Sequence, residues 1–270
     1  MPTIIHDRRQ IAYEMAGSGP AVVLLPPGAS PAAAWRRVTE RLGERYQCLA
    51  VNPAGYPGTD RFEADRPMTM KDEAEAVAAI IEPLDGPAHL VGHSYGGGVA
   101  LELVLMHPSR FATLTLIEPA VYTLLAPAGE SALAADVEGV NRRYIEMVGA
   151  GEHEPALALY IDYYNGGSGA WERLPQTAQA RLLDIAQTIA TALAANHLSD
   201  IALDDLATIA VPTLVVAGAV TDRVHARLAE IIAAAIPGTR FERVEGAGHM
   251  VSLTHPEETA ALIAGHAGQG

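Results

Sequence analysis

Five residues, Gly92-His93-Ser94-Tyr95-Gly96, constrain this chain more than any other segment. They follow the apolar run Ala88-His89-Leu90-Val91 and precede a helix-like run from Val99 to Met106. A strand that must turn at once into a helix crowds its own backbone, and the positions two before and two after the turning residue tolerate little more than hydrogen as a side chain. Gly92 and Gly96 fill those places, and Gly97 and Gly98 extend the small surface where the helix would cross a sheet. Ser94 is left at the apex, and the free N–H groups of the helix N-terminus point toward it.

The rest of the chain alternates short apolar runs with longer segments of helical period, the pattern of a mostly parallel sheet covered on both faces. Strands are expected near 11–15, 21–25, 47–51, 89–91, 114–117, 213–217 and 240–244. Helices are expected near 31–42, 70–81, 97–106, 223–235 and 256–264, with Asp222 and Pro256 as start signals. The alternation stops between Val121 and Leu206, where no strand signal occurs. We read 1–120 with 207–270 as one α/β core and 121–206 as an inserted all-helical cap over the carboxyl edge of the sheet. The cap holds Tyr122, Tyr144, Tyr160, Tyr163, Tyr164 and Trp171, and twelve acidic residues against Arg142, Arg143, Arg173 and Arg181, so it carries −8 of the chain's −14. The run Gly166-Gly167-Ser168-Gly169 reads as a plain loop within it.

Composition narrows the function classes. A net charge of −14 opposes nucleic acid and anionic membrane surfaces as partners. No apolar stretch approaches the ~20 residues of a membrane span, and Met1 to Tyr13 carries Asp7, Arg8 and Arg9 without an apolar leader core. Cys48 is the single cysteine, in the expected strand Tyr46 to Val51, where it reads as a core residue. These features together point to a cytoplasmic protein. The oligomeric state is not set by the sequence, and a homodimer stays open.

A serine hydroxyl is a poor nucleophile at neutral pH and needs a general base, which in turn needs an orienting acid. Gly246-Ala247-Gly248-His249-Met250 follows the last expected strand, which puts His249 on a loop at the same sheet edge as Ser94. His93 lies beside Ser94 but on another side of the turn, and His89 sits within the strand, so neither is a candidate base. Two carboxylates compete for the acid: Asp222, after the strand that ends near Gly218, and Glu118, which ends the strand Leu114 to Ile117 ahead of Pro119. Asp222 is also an ideal helix N-cap. Glu118 could equally be a structural carboxylate bonded to nearby N–H groups. No His/Cys/Asp cluster has metal-ligand spacing, and no phosphate-cradling glycine loop is present, so no metal or nucleotide cofactor is implied.

Over nearly its whole length the chain resembles the α/β-hydrolase superfamily. The resemblance rests on Gly92 to Gly96, on Asn52-Pro53-Ala54-Gly55-Tyr56-Pro57-Gly58-Thr59-Asp60, on Arg110 through Pro119, and on Gly246 to His249. It implies an eight-stranded, mostly parallel sheet flanked by helices, with a helical cap. It also implies a Ser94–His249–acid triad and an oxyanion hole made by the N–H of Tyr95 with one from the loop after the strand 21–25. In that loop, members with a similar motif carry His-Gly, whereas this chain has Pro26-Pro27-Gly28-Ala29. Proline has no N–H to give, so the second donor is expected at Ala29, or at Gly28 if the register slips by one. Asn52 stands where relatives carry Asp, a departure expected to be structural. The segment Asp162-Tyr163-Tyr164-Asn165-Gly166 with Trp171 resembles that of bacterial members whose acid sits at the Glu118 position, which favours Glu118 and keeps Asp222 as the alternative. The activity implied is cofactor-free hydrolysis of a small, neutral, largely apolar carboxylic ester or lactone, with the cap's acidic excess repelling anions. Hydrolytic C–C cleavage, perhydrolysis and non-catalytic ligand binding remain alternatives.

Overall fold

The computed structural model describes residues 1–268 apart from Gly166, so one residue of the Gly166–Gly169 run lies outside the described residues, as do Gln269 and Gly270. Eight strands form one sheet: β1 (Thr3–His6), β2 (Arg9–Ala16), β3 (Ala21–Leu25), β4 (Gln47–Val51), β5 (Ala88–His93), β6 (Phe111–Ile117), β7 (Thr213–Gly218) and β8 (Arg240–Val244). Their order is β1-β2-β4-β3-β5-β6-β7-β8. β1 and β2 run antiparallel to each other and β2 antiparallel to β4, while every later pairing is parallel. β1 is the strand that the apolar runs do not announce. It is an edge strand with alternate residues exposed, and its hairpin turns through Asp7 and Arg8, both at positive φ (45° and 64°), where glycine or asparagine usually signals such a turn.

The period-2 alternation of each strand deals its side chains to two layers. Val23, Leu25, Leu49, Val51, Val215 and Ala217 face one core, shared with α2 (Met70–Ile81), α3 (Tyr95–Met106) and α9 (Arg223–Ala235). Val22, Leu24, Cys48, Ala50, Leu214 and Val216 face the other, closed by α1 (Arg36–Leu42), α11 (Pro256–Ala267) and the indole of Trp35. Cys48 is buried there, and burial pushes its thiol up to about 11, as fits a core cysteine. α2 begins at a capping box: Thr69 accepts from the Asp72 N–H, and Asp72 accepts from the Thr69 N–H.

Between β6 and β7 the described residues form helices only: α4 (Ser131–Gly149), α5 (His153–Tyr164), α6 (Gln176–Asp184), α7 (Ala186–His197) and the short α8 (Leu203–Leu206). Their aromatic and aliphatic side chains, Tyr144, Leu157, Tyr164 and Ile189 among them, and Trp171 from the turn between α5 and α6 join the first core rather than enclosing a separate one. A single turn, α10 (Val251–Thr254), follows the loop after β8. Among the described residues no helix is long and apolar enough to cross a membrane.

Candidate active site

Ser94 sits between β5 and α3 at φ 53° and ψ −117°, a conformation that a residue with a side chain adopts only under constraint from its surroundings. The constraint is visible in the backbone. The Ser94 N–H donates to the Ile117 carbonyl at 2.9 Å, and the Ser94 carbonyl accepts from Gly97 at 2.8 Å and Ala120 at 3.0 Å. A Cβ on Gly92 would strike the carbonyl of Gly96, and one on Gly96 would strike the carbonyl of Leu25. The glycine requirement read from the sequence is therefore a backbone-on-backbone contact. A Cβ on Gly97 would crowd Pro119 and one on Gly98 the Met70 side chain.

The same sheet edge brings His249 and Glu118 to Ser94. His249 Nε2 lies 3.1 Å from Ser94 Oγ, and His249 Nδ1 lies 2.6 Å from Glu118 Oε2. Glu118 is fully buried and sits at φ 45°, the left-handed region again, directly after β6. Its carboxylate also accepts from the Gly218 N–H at 2.7 Å and the Thr221 hydroxyl at 2.8 Å, so both oxygens are fixed by donors. With Nδ1–H donating to the carboxylate, Nε2 is left with its lone pair toward Ser94.

Asp222, the rival carboxylate, has other partners. Its Oδ1 accepts from the N–H groups of Val224 and His225, which caps α9, and its Oδ2 lies 2.7 Å from His225 Nδ1. Burial opposes its charge, but the His225 ring and the hydrogen bonds outweigh that and hold the carboxyl down at about 2. His225 in turn stacks on His249, ring centroids 3.6 Å apart and planes 20° from parallel. Burial also disfavours the His225 cation, yet Asp222 outweighs it and raises the imidazole above its ordinary value. His249 moves the other way, lowered by burial and then by the His225 charge, against the pull of Glu118.

His93, set aside on sequence grounds, is a support. Its Nε2 lies 2.8 Å from the His249 carbonyl and its Nδ1 2.9 Å from Ser252 Oγ, and burial holds it down at about 3, so the neutral ring donates from Nε2 and accepts at Nδ1. It pins the backbone of the loop that carries His249. No sequence signal marks this role, because the three residues meet only through the packing of β5 against the loop after β8.

The loop after β3 turns through a Ser30 N–H to Pro27 carbonyl bond at 3.0 Å. The Tyr56 hydroxyl donates to the Gly28 carbonyl at 2.8 Å, so Tyr56 braces this loop from the segment after β4. Among the described residues, the N–H groups of Gly28, Ala29 and Tyr95 have no acceptor within the protein. Gly28, Ser94 and Tyr95 border a cavity of about 20 Å³, room for about one water-sized atom. Ala29 instead borders the large cavity described below. Asn52 is structural: its Oδ1 accepts from the Ala32 N–H at 2.7 Å and its Nδ2 donates to the Pro57 carbonyl at 3.1 Å.

The sequence profile of the alpha/beta hydrolase family matches residues 22–262. The chain belongs to that family. A polyketide synthase, ThaQ of Burkholderia thailandensis, is 30% identical over 254 residues, 89% of this chain; the match spans only 11% of that synthase's length. A pimeloyl-[acyl-carrier protein] methyl ester esterase of Aeromonas hydrophila is 25% identical over 94% of this chain and 97% of its own. The crystal structure of a hydrolase from Pseudomonas aeruginosa superposes with a TM-score of 0.81 at 22% identity, covering 99% of this chain and 98% of that one.

In this alpha/beta hydrolase, Ser94 and His249 open onto a cavity of about 780 Å³ between the sheet edge and the inserted helices. Its wall is largely apolar, with Pro27, Ala29 and Leu253 on the core side and Ile161, Leu174, Leu182 and Ile185 facing them, and with the rings of Tyr56, Tyr160 and Tyr164. The charged residues on the wall are Arg173, Arg181 and Asp184, so the acidic excess of 121–206 does not face the cavity. Glu118, His225 and His249 bring one donor atom each within 4.8 Å of one another. Glu118 and His249 are bonded to each other, and His225 Nδ1 is bonded to Asp222.

Proposed function

We propose that this alpha/beta hydrolase cleaves a carboxylic ester or lactone by way of an acyl-enzyme, with Ser94 as nucleophile, His249 as general base and acid, and Glu118 as the orienting acid. One observation carries the reading: a serine on a strained elbow, an imidazole 3.1 Å from it, and a buried carboxylate 2.6 Å from the other ring nitrogen, all beside an apolar cavity. The likeness to an esterase over almost the full length of both chains supports it.

In the first step the Ser94 Oγ–C bond forms as His249 Nε2 takes the hydroxyl proton. The carbonyl oxygen becomes an oxyanion, held by the Tyr95 N–H with that of Ala29 or Gly28. The C–O bond to the alcohol then breaks, and the leaving oxygen takes the proton back from Nε2. Water repeats the cycle on the acyl-enzyme and releases the acid. Glu118 keeps the proton on Nδ1 throughout and stabilises the imidazolium. Hydrolysis by these groups needs no cofactor. Residues 121–206 act as a cap, and the apolar wall favours a small, neutral, largely apolar substrate.

A hydrolysis screen over esters of graded acyl length, with lactones and aryl esters beside them, tests the reading. Turnover that is lost in Ser94→Ala supports it. Turnover unchanged by that substitution overturns it, and binding of the same compounds without turnover would favour a ligand-binding role instead.

A further inference from the structure

The reaction proposed above uses Ser94, His249 and Glu118 and leaves a second acid–imidazole pair unexplained. His225 is 1% exposed and lies face to face with His249 at 3.6 Å. Its Nδ1 is held by Asp222 at 2.7 Å, and its Nε2 is buried without a hydrogen-bond partner among the described residues. We propose that the Asp222–His225 pair is a positioning element for His249: stacked on that ring as an imidazolium, it disfavours a second proton there and keeps His249 a free base toward acid pH. The inference rests on His249 being the general base.

Three features favour the charged form of His225. Asp222 is an anion fixed on both oxygens, one by the two N–H groups that it caps and one by His225 itself. The Glu118 carboxylate is a second negative group nearby, with one of its oxygens among the donor atoms gathered within 4.8 Å. The Tyr164 ring, 5.2 Å from His225 between centroids, lies within the distance at which an aromatic ring attracts a cation.

The groups facing His249 from the surrounding elements are few. Glu118 comes from the end of β6, His93 from β5 and Ser94 from the elbow, and His225 and Asp222 come from the start of α9. His93 is neutral through the working range. Glu118 favours a proton on His249, and so does Asp222 from farther off; the His225 cation, in ring contact, opposes it. Burial is the largest effect holding His249 down, and the stacked cation adds to it against the two carboxylates. That cation also holds the ring plane on the face that Glu118, bonded at the edge, does not touch.

The test is the pH dependence of kcat/KM between pH 4.5 and 9 on a neutral aryl ester, for the wild type, Asp222→Asn, His225→Phe and the double variant. Asn caps a helix as well as Asp, so Asp222→Asn keeps α9 while removing the anion that protonates His225. The acid limb should move up by about one pH unit in Asp222→Asn and in the double variant. It should move further in His225→Phe, where Asp222 is left bare. Rates on the alkaline plateau should stay within about threefold of wild type, a split that a merely structural role would not produce. Superimposable limbs, or a limb that moves down, would overturn the inference.

Nitrogen-15 NMR of the wild-type histidines gives the same answer without a variant. The inference requires His225 to be doubly protonated at pH 7 while His249 is neutral, and a neutral His225 at that pH refutes it. If instead His249→Ala retains activity, the reading of the reaction fails, and the two failures are told apart.

Discussion

Replacing Glu118 by Gln leaves shape and burial almost unchanged, and the structure shows where the amide must point. The Gly218 N–H, 2.7 Å from Oε1, is a backbone donor that cannot turn away, so the amide oxygen has to take the Oε1 position. The NH2 group then occupies the place of Oε2, facing the Thr221 hydroxyl and His249 Nδ1. Thr221 rotates and accepts. His249 accepts only by moving its proton to Nε2, the nitrogen 3.1 Å from Ser94 Oγ, where a base must have a free lone pair. The variant is therefore locked in the wrong tautomer and has also lost the carboxylate that stabilises the imidazolium. The expected loss is about 10²- to 10⁴-fold in kcat, or ~3–5 kcal/mol of transition-state stabilisation, with KM little changed. Steady-state turnover of an aryl ester on the alkaline plateau, beside a thermal melt to establish that the fold survives, reads this directly. A folded Glu118→Gln enzyme that keeps more than a tenth of wild-type kcat would refute the reasoning. If Asp222→Asn were crippled on the same plateau instead, the acid would be Asp222.

Ser94→Ala and His249→Ala should each lower kcat by at least about a thousandfold with KM nearly constant, since both groups act mainly on the transition state; stopped-flow and steady-state assays on one ester check this. Because burial and then the His225 charge lower His249, kcat/KM should rise with pH through a midpoint below the usual imidazole value of about 6.5. A midpoint above 7 in a pH–rate profile contradicts that. Gly96→Ala should fail to give soluble folded protein, because its Cβ meets the Leu25 carbonyl, whereas Gly248→Ala, with open space around it, should fold normally by circular dichroism. Burial opposes the charge of Asp72, but the Arg66 pair and Thr69 outweigh it and hold it down at about 2, so its contribution to stability is complete above about pH 4 and is lost as pH falls toward 2. Urea midpoints of wild type and Asp72→Asn should accordingly converge over that window.

The elbow was legible because its requirement is local: two glycines placed two residues either side of a serine, between a strand and a helix, leave little other reading once the backbone contacts of Gly92 and Gly96 are considered. His249 was legible for a similar reason, as the histidine framed by small residues directly after a strand. Glu118 and Asp222 could not be separated from spacing, since each ends or follows a strand at the same sheet edge. The contacts that distinguish them, the Glu118 carboxylate on His249 and the His225 ring on Asp222, are tertiary. His225 lies in the first turn of α9, and its contact with His249 exists only because β7, α9 and β8 bring the two together. β1 is not legible in the sequence because a short edge strand with alternate residues exposed has no apolar run to announce it. The net charge of the inserted helices said little about the cavity, because the acidic residues lie off its wall apart from Asp184, while Arg173 and Arg181 reach it.

The proposed reaction requires Ser94 to be an activated nucleophile. Incubation of the wild-type protein with a fluorophosphonate, followed by peptide mass spectrometry, tests it most directly, because only a serine with an engaged base reacts at a useful rate. An activated Ser94 gives one adduct per chain on the peptide carrying it, loss of ester turnover in step with labelling, and labelling slowed at least about a hundredfold in His249→Ala. An adduct on another residue, or full ester turnover by protein in which Ser94 stays unmodified, would contradict it.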